Sequence, residues 1–255
     1  MSAWRATVAV CVLLATASCT ASEDNAEPSP SPSGALSLPT AGTPEPQDPV
    51  LSPRPGEVLE LDRHGPDYVF TKQGRYAVRL NSHLVYEVDA PDMWEVYRGR
   101  YFSTSDFSGG AGVFSVAGPV THAWLPAHPC QDRALMPVGT TARDLADALS
   151  AQPVLQVTRP EPVSLTAGHG VYVEVRVPDR VASASCQGGG VALFGWRGQP
   201  PEWWELSTGN ALYFWILDVD GQRLILAAFC ETTCADADLK TLRGMADSVT
   251  FVREN

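Results

Sequence analysis

The stretch LYFWILDVDGQRLILAAF, residues 212–229, decides how the chain folds. It predicts two strands, residues 212–219 and 223–229, that turn through Asp220-Gly221. Asp-Gly suits the primed hairpin turns, whose backbone twist matches that of the paired strands. The stretch therefore indicates an antiparallel sheet.

Strand patterns continue on both sides of this hairpin. Residues 68–71, a turn at Gln73-Gly74, and residues 76–80 and 83–88 are rich in β-formers and predict a meander. Further strands are expected at residues 100–103, 112–117, 120–124, 154–158, 170–177, 191–196 and 248–252.

Two amphipathic segments predict helices between the strands. Residues 141–151 begin at Thr140 or Thr141 as N-cap, and residues 236–246 begin at Asp236 as N-cap. Each carries one apolar stripe, so each should lie against the sheet. Residues 57–255 are thus expected to form a single α+β domain, an antiparallel sheet flanked by helices.

Charge and composition exclude some classes of protein. The chain has 255 residues with 44% hydrophobic residues, enough for one large domain with a core. Its 18 Lys+Arg against 29 Asp+Glu give a net charge of −11. Nucleic-acid binding depends on basic residues that displace counterions, so nucleic acid is not expected as a partner.

The first 18 residues have the pattern of a secretory signal peptide. Arg5 precedes an apolar stretch, and small residues precede Cys19. Two cleavages compete at this point. Thr16-Ala17-Ser18-Cys19 resembles a lipobox but has Thr16 where an apolar residue is usual, and Ala15-Thr16-Ala17 is an ordinary A-x-A site.

The number of cysteines favours the lipoprotein alternative. Ordinary cleavage would leave five cysteines in an oxidising compartment, and lipidation of Cys19 would leave four. A diacylglyceryl group and an amide-linked acyl chain together give stable anchoring. The sequence therefore predicts a lipoprotein held through Cys19 on the extracellular face of the cell membrane.

Residues 19–56 are predicted to form a disordered tether. Nine prolines, several acidic residues and no aromatic residue occur between residues 20 and 56. Such a composition cannot bury enough apolar surface to offset the entropy lost on ordering. The Ser-Pro repeat of residues 29–33 favours polyproline II, which suits a stalk.

The remaining cysteines are predicted to form two structural disulfide bonds. Four cysteines allow three connectivities. We expect Cys130 to pair with Cys186, and Cys230 with Cys234 across a sharp turn. A redox role is the alternative, but the C-x-x-x-C spacing differs from the C-x-x-C of oxidoreductases.

The layout of the chain also resembles a known group of proteins. The segment V-D-A-P-D-M-W of residues 88–94, the hairpin with Trp215-x2-Asp218-x-Asp220-Gly221, and a terminal helix that runs into residues 246–251 carry the likeness. They resemble actinobacterial secreted lipoproteins with PsbP-like or LpqN-like domains. The resemblance implies an antiparallel sheet flanked by helices and a role in binding or assembly.

Aromatic residues give the candidate binding surface. Trp203 and Trp204 follow Pro200-Pro201 in a predicted loop, close to the hairpin that carries Tyr213 and Trp215. Aromatic faces stack on sugars and partner surfaces. Glu202 and Glu205 flank the two tryptophans and leave open a glycan hydrolase with paired carboxylates. Tryptophans that close the edge of the core are the other reading.

No residues stand out as catalytic or metal-binding. His122, His128 and Cys130 are too few and too constrained by prolines for a metal site. There is no G-x-S-x-G or S-x-x-K motif. We therefore expect a cell-envelope lipoprotein that binds a ligand or protein, is not an enzyme and needs no cofactor. A secreted hydrolase acting on envelope glycans and a purely structural envelope component are the alternatives.

Overall fold

A computed structural model describes residues 49–62, 64–107, 110–120, 122–186, 189–196 and 202–254. This part of the chain is 51% strand and 13% helical. In chain order its strands are β1 (Val50–Leu51), β2 (Val58–Leu61), β3 (Tyr68–Thr71), β4 (Gly74–Arg79), β5 (Leu84–Ala90), β6 (Glu95–Tyr97), β7 (Tyr101–Phe107), β8 (Gly110–Ala117), β9 (Ala123–His128), β10 (Asp132–Pro137), β11 (Gln156–Val157), β12 (Glu161–Leu165), β13 (Gly168–Arg176), β14 (Val191–Trp196), β15 (Glu202–Leu206), β16 (Ala211–Val219), β17 (Gln222–Cys230) and β18 (Thr250–Arg253).

Two α-helices are α1 (Ala142–Ser150) and α2 (Asp236–Ser248), and Ser183–Ser185 form one turn of 3₁₀-helix. Thr141 caps α1, because its side chain accepts from the Asp144 N–H while the Asp144 carboxylate accepts from the Thr141 N–H. That backbone hydrogen bond lowers the pKa of Asp144. The N-cap of α2 is Ala235, one residue before the predicted N-cap Asp236, and the helix itself begins at Asp236.

The predicted hairpin is confirmed. Strands β16 and β17 pair in antiparallel register from Ala211 with Cys230 to Val219 with Gln222. Asp220 and Gly221 both have positive φ, 51° and 75°, as a type I′ turn requires. The turn dipeptide thus agrees with the register of these two strands of nine residues each.

The strands described form three sheets. The large sheet has the order β1-β3-β6-β7-β8-β17-β16-β13-β11, with β12 also paired to β13. One small sheet has the order β18-β5-β4-β2, and the other β10-β9-β14-β15. Pairing is antiparallel except for β1 with β3 and β2 with β4.

The large sheet is the central layer of the fold. On one face, a core cluster joins it to the sheet of β18, β5, β4 and β2 and to α2. On the other face, a second cluster joins it to the sheet of β10, β9, β14 and β15 and to α1. Residues 211–217 of β16 are all buried, since both faces of this strand are covered.

The predicted fold class, an α+β sheet flanked by helices, is wrong. The structure is mostly β, and each layer over the central sheet is built from a small sheet with one helix. The predicted meander fails at its first turn: β3 pairs with β1 and β6, whereas β4 joins a different sheet. Short strands that follow one another need not pair when a turn carries the chain to another layer.

Both predicted cysteine pairs lie at disulfide distance. The Cα atoms of Cys130 and Cys186 are 4.4 Å apart, and those of Cys230 and Cys234 are 5.6 Å apart. The first bond links the turn after β9 to the end of the 3₁₀ turn, and the second closes the end of β17 onto the segment before α2.

The chain enters the described part at β1, which lies within the range 19–56 assigned to the tether. The Tyr76 hydroxyl lies 3.0 Å from the Leu51 carbonyl oxygen and 2.7 Å from the Lys72 carbonyl oxygen. Burial raises the pKa of Tyr76 to about 12. Strand β1 is thus held by a buried side chain as well as by its pairing with β3.

Several predictions concern residues that the structure does not describe. The signal peptide of residues 1–18, Cys19 and residues 19–48 of the tether all precede Pro49. In the part of the chain from Pro49 onward that is described, no helix has the length and apolar character needed to cross a bilayer.

Candidate functional site

Among the described residues, one half of the central sheet has no covering layer on the face that carries α1. The core cluster on this face draws members from β13, β16 and β17, but among the described residues it takes none from β3, β6 or β7. Side chains on that face of β3, β6 and β7 therefore lie beyond the covering layer. They are the best candidates for a functional surface.

Three tyrosines form a row across this open half. Tyr68 of β3 is directly opposite Tyr97 of β6, and Tyr97 is opposite Tyr101 of β7. The ring centroids of Tyr68 and Tyr97 are 5.0 Å apart, and those of Tyr97 and Tyr101 are 6.4 Å apart. Tyr68 is 45% exposed and Tyr101 is 36% exposed. We call these three residues the tyrosine row.

The alternation of each strand places the row on the outer face. Val69, Val96 and Phe102 neighbour the three tyrosines in sequence and are buried in the opposite core cluster. Side chains alternate between the two faces of a strand, so the tyrosines must point the other way. The alternation that buries Val69, Val96 and Phe102 in one face of the sheet thus places the tyrosine rings on the other face.

Two arginines lie beside the row. The segment Tyr97-Arg98-Gly99-Arg100-Tyr101 is the hairpin loop between β6 and β7, with Arg98 and Gly99 at positive φ of 49° and 55°. The Arg98 guanidinium carbon lies 5.0 Å from the centroid of the Tyr97 ring, and that of Arg100 lies 5.5 Å from the Tyr101 ring. Cations over aromatic faces are a favourable arrangement.

The two arginines differ in their partners. Arg98 Nε lies 3.2 Å from an oxygen of Asp67, and both side chains are largely exposed. Arg100 Nε is buried and donates no hydrogen bond within the described residues. The loop therefore brings two guanidinium groups to the edge of the tyrosine row, and that of Arg98 is paired with the Asp67 carboxylate.

A groove of about 230 Å³ continues the row toward the covered half of the sheet. It runs from Tyr101 past Ser115 of β8 and ends against Leu206 of β15. Its other walls are mainly apolar and are formed by Val113, Leu212, Ala227 and Phe229, with Glu205 at the rim. The groove and the row form one continuous surface, because they share Tyr101.

The predicted aromatic surface is corrected for two of its four residues. Tyr213 and Trp215 are 1% and 4% exposed and belong to the core cluster under the small sheet of β18. The Tyr213 hydroxyl accepts a hydrogen bond from the Cys234 N–H, and the Trp215 ring lies 5.3 Å from that of Tyr172. They are packing residues, because both faces of β16 are covered.

Trp203 and Trp204 lie in strand β15 and not in the predicted loop. Their backbones pair with Gly195 and Phe194 of β14. Their side chains fall outside the described part of the structure, as does the side chain of Glu202. The two tryptophans thus stay a predicted contact surface. They directly precede Glu205, which lies at the rim of the groove.

His122, His128 and Cys130, which the sequence analysis considered for a metal site, lie outside any metal-binding group of the described residues. His122 and His128 are both exposed. Within the same part of the chain, no group of three or more His, Cys, Asp or Glu side chains is placed to hold a metal ion.

The tyrosine row was missed by sequence reasoning, although one signal was present. Tyr97-Arg98-Gly99-Arg100-Tyr101 places matching aromatic residues at both ends of a short glycine-containing turn, the arrangement of a cross-strand pair. Tyr68 could not be added to that pair, because the pairing of β3 with β6 leaves no mark in the sequence.

Comparisons with known proteins give no further guide. No protein-family model, no curated protein and no solved structure matches this chain. The resemblance to PsbP-like and LpqN-like lipoproteins therefore stays a prediction.

Proposed function

We propose that this chain is an extracytoplasmic, lipid-anchored protein that binds a ligand of the cell envelope across its tyrosine row. The observation that carries the proposal is the open half of the central sheet, where exposed tyrosine rings stand in line beside two arginines. Tyrosine and arginine are the residue types that contribute most to recognition surfaces.

The surface is suited to binding more than to chemistry. Exposed rings in line offer faces for stacking, and the arginines offer charge and hydrogen-bond donors. A hydrolase acting on glycans would need a pair of carboxylates on either side of the bound sugar. Glu205 is the acidic residue at the rim of the groove. The proposal of binding therefore rests on the rings and on the two arginines beside the row.

Anchoring through Cys19 is the second part of the proposal. It rests on the signal-like residues 1–18 and on the even number of domain cysteines, all four of which lie in disulfide pairs. A thiol at Cys19 would otherwise be the odd one in an oxidising compartment. The lipid would hold the binding domain at the outer surface of the membrane.

Cys19→Ala should move the protein from the membrane fraction to the soluble fraction. The domain should stay folded, because the substitution lies 30 residues before Pro49, where the described structure begins. Fractionation and immunoblotting measure the shift, and Cys11→Ala is the matched control that should stay with the membrane. A mature N-terminus that begins at an unmodified Ser18 in mass spectrometry would show that the A-x-A site is used instead.

Tyr68→Ser combined with Tyr101→Ser should lower binding to the envelope about tenfold, since both exposed rings are lost. The probe is a preparation of cell walls washed free of protein, and co-sedimentation of the purified protein measures the bound fraction. Leu135→Ser with Met136→Ser is the control, because it removes two exposed apolar side chains from β10 in another sheet.

Each alternative function gives its own result in this experiment. Soluble sugar released from the walls by the wild-type protein would favour the hydrolase. Equal binding by the wild-type protein and the tyrosine variant, or no binding by either, would overturn the tyrosine row as the binding surface. An unchanged urea midpoint in the variant shows that a loss of binding is not a loss of folding.

A further inference from the structure

The layer that covers the α1 face of the central sheet ends at strand β15. Among the described strands, β15 pairs with β14 alone, so its other backbone edge is open. Below that edge, the floor of the groove continues through β17 and β8 to β7. An edge strand presents N–H and C=O groups that can pair with another chain. The covering sheet therefore has room for one more strand above the groove.

The two edges of this small sheet differ in how well they could accept a strand. Strand β10, at the opposite edge, has a bulge between Asp132 and Leu135 and ends at Pro137, and bulges and prolines protect an edge from pairing. The five residues of β15 include no proline. The shift in its pairing with β14 leaves β15 regular, because the extra residue is Leu193 of β14. Strand β15 is thus the better acceptor.

Two small residues form the floor of the groove. Ser115 of β8 lies opposite Ala227 of β17, and the larger side chains of Tyr101 and Phe229 line the groove beside them. The resulting space is about 230 Å³. Pockets that hold drug-sized ligands are larger, about 300 to 1,000 Å³. The size of the groove therefore suits one large side chain of a bound polypeptide.

Ser115 brings a hydroxyl group to this mainly apolar floor. The residue is 5% exposed, and its hydroxyl has no hydrogen-bond partner in the part of the chain that the structure describes. Buried polar side chains are nearly always hydrogen-bonded, so the free hydroxyl indicates a missing ligand group. A tyrosine side chain has an apolar ring and a hydroxyl at its tip. It can fill the groove and pair with Ser115 at the same time.

We propose that β15 accepts an extended segment of a partner protein as an additional strand, and that this segment places a tyrosine side chain in the groove. Main-chain hydrogen bonds to β15 give affinity, and the groove gives specificity. Packed sheets lie about 10 Å apart, so an inward-pointing tyrosine on the added strand spans the gap to Ser115 and Ala227. This site binds a polypeptide beside the tyrosine row and goes beyond the proposed function.

The test begins with a displayed library of random linear peptides, selected on the mature chain carrying Cys19→Ala. Selected peptides should carry a tyrosine between residues of high β-propensity, and the tightest binder is synthesised as the probe. Fluorescence polarisation measures its Kd. Exchange of the probe's tyrosine for phenylalanine should weaken binding about fivefold, because one hydrogen bond is lost. N-methylation of alternate backbone amides should weaken it about tenfold, because donors to β15 are lost.

Variants of the groove locate the bound peptide. Ser115→Ala should abolish the difference between the tyrosine and phenylalanine peptides, a result that a purely structural role of Ser115 would not produce. Ala227→Leu fills the groove and should weaken binding of the probe about tenfold. Leu135→Ser with Met136→Ser on the opposite edge is the matched control and should leave the affinity unchanged. An unchanged urea midpoint shows that each variant is folded.

The outcomes keep this site apart from the tyrosine row. A library without binders, or a probe that binds the wild-type chain and Ala227→Leu equally, would overturn the strand site, and co-sedimentation with cell walls would still decide the proposed function. Equal affinity of the wild-type chain for the two peptides would overturn the pairing with Ser115. A dimer without peptide that Ala227→Leu dissociates would assign the edge to a second copy of the chain and overturn a partner protein. A preference for tyrosine that Ser115→Ala removes supports the proposal.

Discussion

Cys130→Ala combined with Cys186→Ala should lower the free energy of unfolding by about 4 kcal/mol, because the bond closes a loop of more than 50 residues in the unfolded chain. The sequence separation of this pair is 56. The loop it closes contains α1 and strands β10 to β13, so opening it frees a large share of the unfolded chain. Urea unfolding at pH 7 measures the change.

The second disulfide provides the comparison. Cys230 and Cys234 are separated by only 4 residues, and the entropy of so short a loop predicts a loss of about 2 kcal/mol for Cys230→Ala with Cys234→Ala. The loss from the first pair should thus be about twice that from the second. Equal losses would mean that local packing around each bond, and not the length of the closed loop, sets its contribution.

The elements with strong local signals could be predicted from the sequence. Asp220-Gly221 predicted the hairpin because Asp-Gly favours the primed turns, whose twist matches that of the strands, and both residues have positive φ in the structure. The start of α1 was predicted at Thr140 or Thr141, and the structure has Thr141 as the N-cap, in a capping box with Asp144 that satisfies two backbone N–H groups at once. In each case the residues that decide the structure are neighbours in the chain.

The arrangement of sheets could not be predicted, because it depends on contacts between distant residues. Nothing near Gly74 shows that β4 leaves β3 for another layer. The best hint was the unbroken apolar run of β16, which is typical of a strand covered on both faces. If the run is interpreted as a strand covered on both faces, Tyr213 and Trp215 are expected in the core and not on a surface.

The same limit applies to the candidate site. The tyrosine row exists only once β3 lies beside β6, and residues 68 and 97 are far apart in the sequence. Trp203 and Trp204 could be proposed from the sequence because two adjacent tryptophans are visible in a linear string. A row of single tyrosines on three paired strands is not visible in the sequence, so the tyrosine row was not predicted.

Arg223 is the charged residue with the deepest burial in the described core. It is 1% exposed, and its Nε donates to the Val120 carbonyl oxygen at 3.1 Å. Nη1 lies 2.6 Å from the Gly139 carbonyl oxygen and 3.1 Å from that of Thr141. One side chain of β17 thus holds the segment before β9 and the start of α1.

Burial of the Arg223 guanidinium disfavours its charged form, and nearby carboxylates favour it. Burial lowers the pKa of its guanidinium, and the carboxylates of Asp144 and Asp218 oppose that shift. Asp218 also accepts a hydrogen bond from the Ala142 N–H at the start of α1. The charge is therefore compensated by carbonyl dipoles and by two carboxylates that are not in direct contact with it.

Arg223→Met should lower the free energy of unfolding by about 3 kcal/mol, because hydrogen bonds to a charged donor contribute about 1.5 to 3 kcal/mol each and burying the charge offsets part of their sum. Methionine fills much of the same volume, so the loss reports the missing donors more than a cavity. Arg223→Lys should lose about half as much, since an ammonium group lacks the fork that reaches carbonyls on two segments.

Arg143→Met is the matched control for the loss of an arginine. Arg143 forms an ion pair with Asp147 one turn along α1, and both side chains are more than half exposed. Such pairs contribute less than about 0.5 kcal/mol, so the urea midpoint of this variant should hardly change. If Arg223→Met were as stable as Arg143→Met, the three carbonyl contacts would add nothing beyond the cost of burying the charge, and the attachment of α1 to β17 would rest on apolar packing alone.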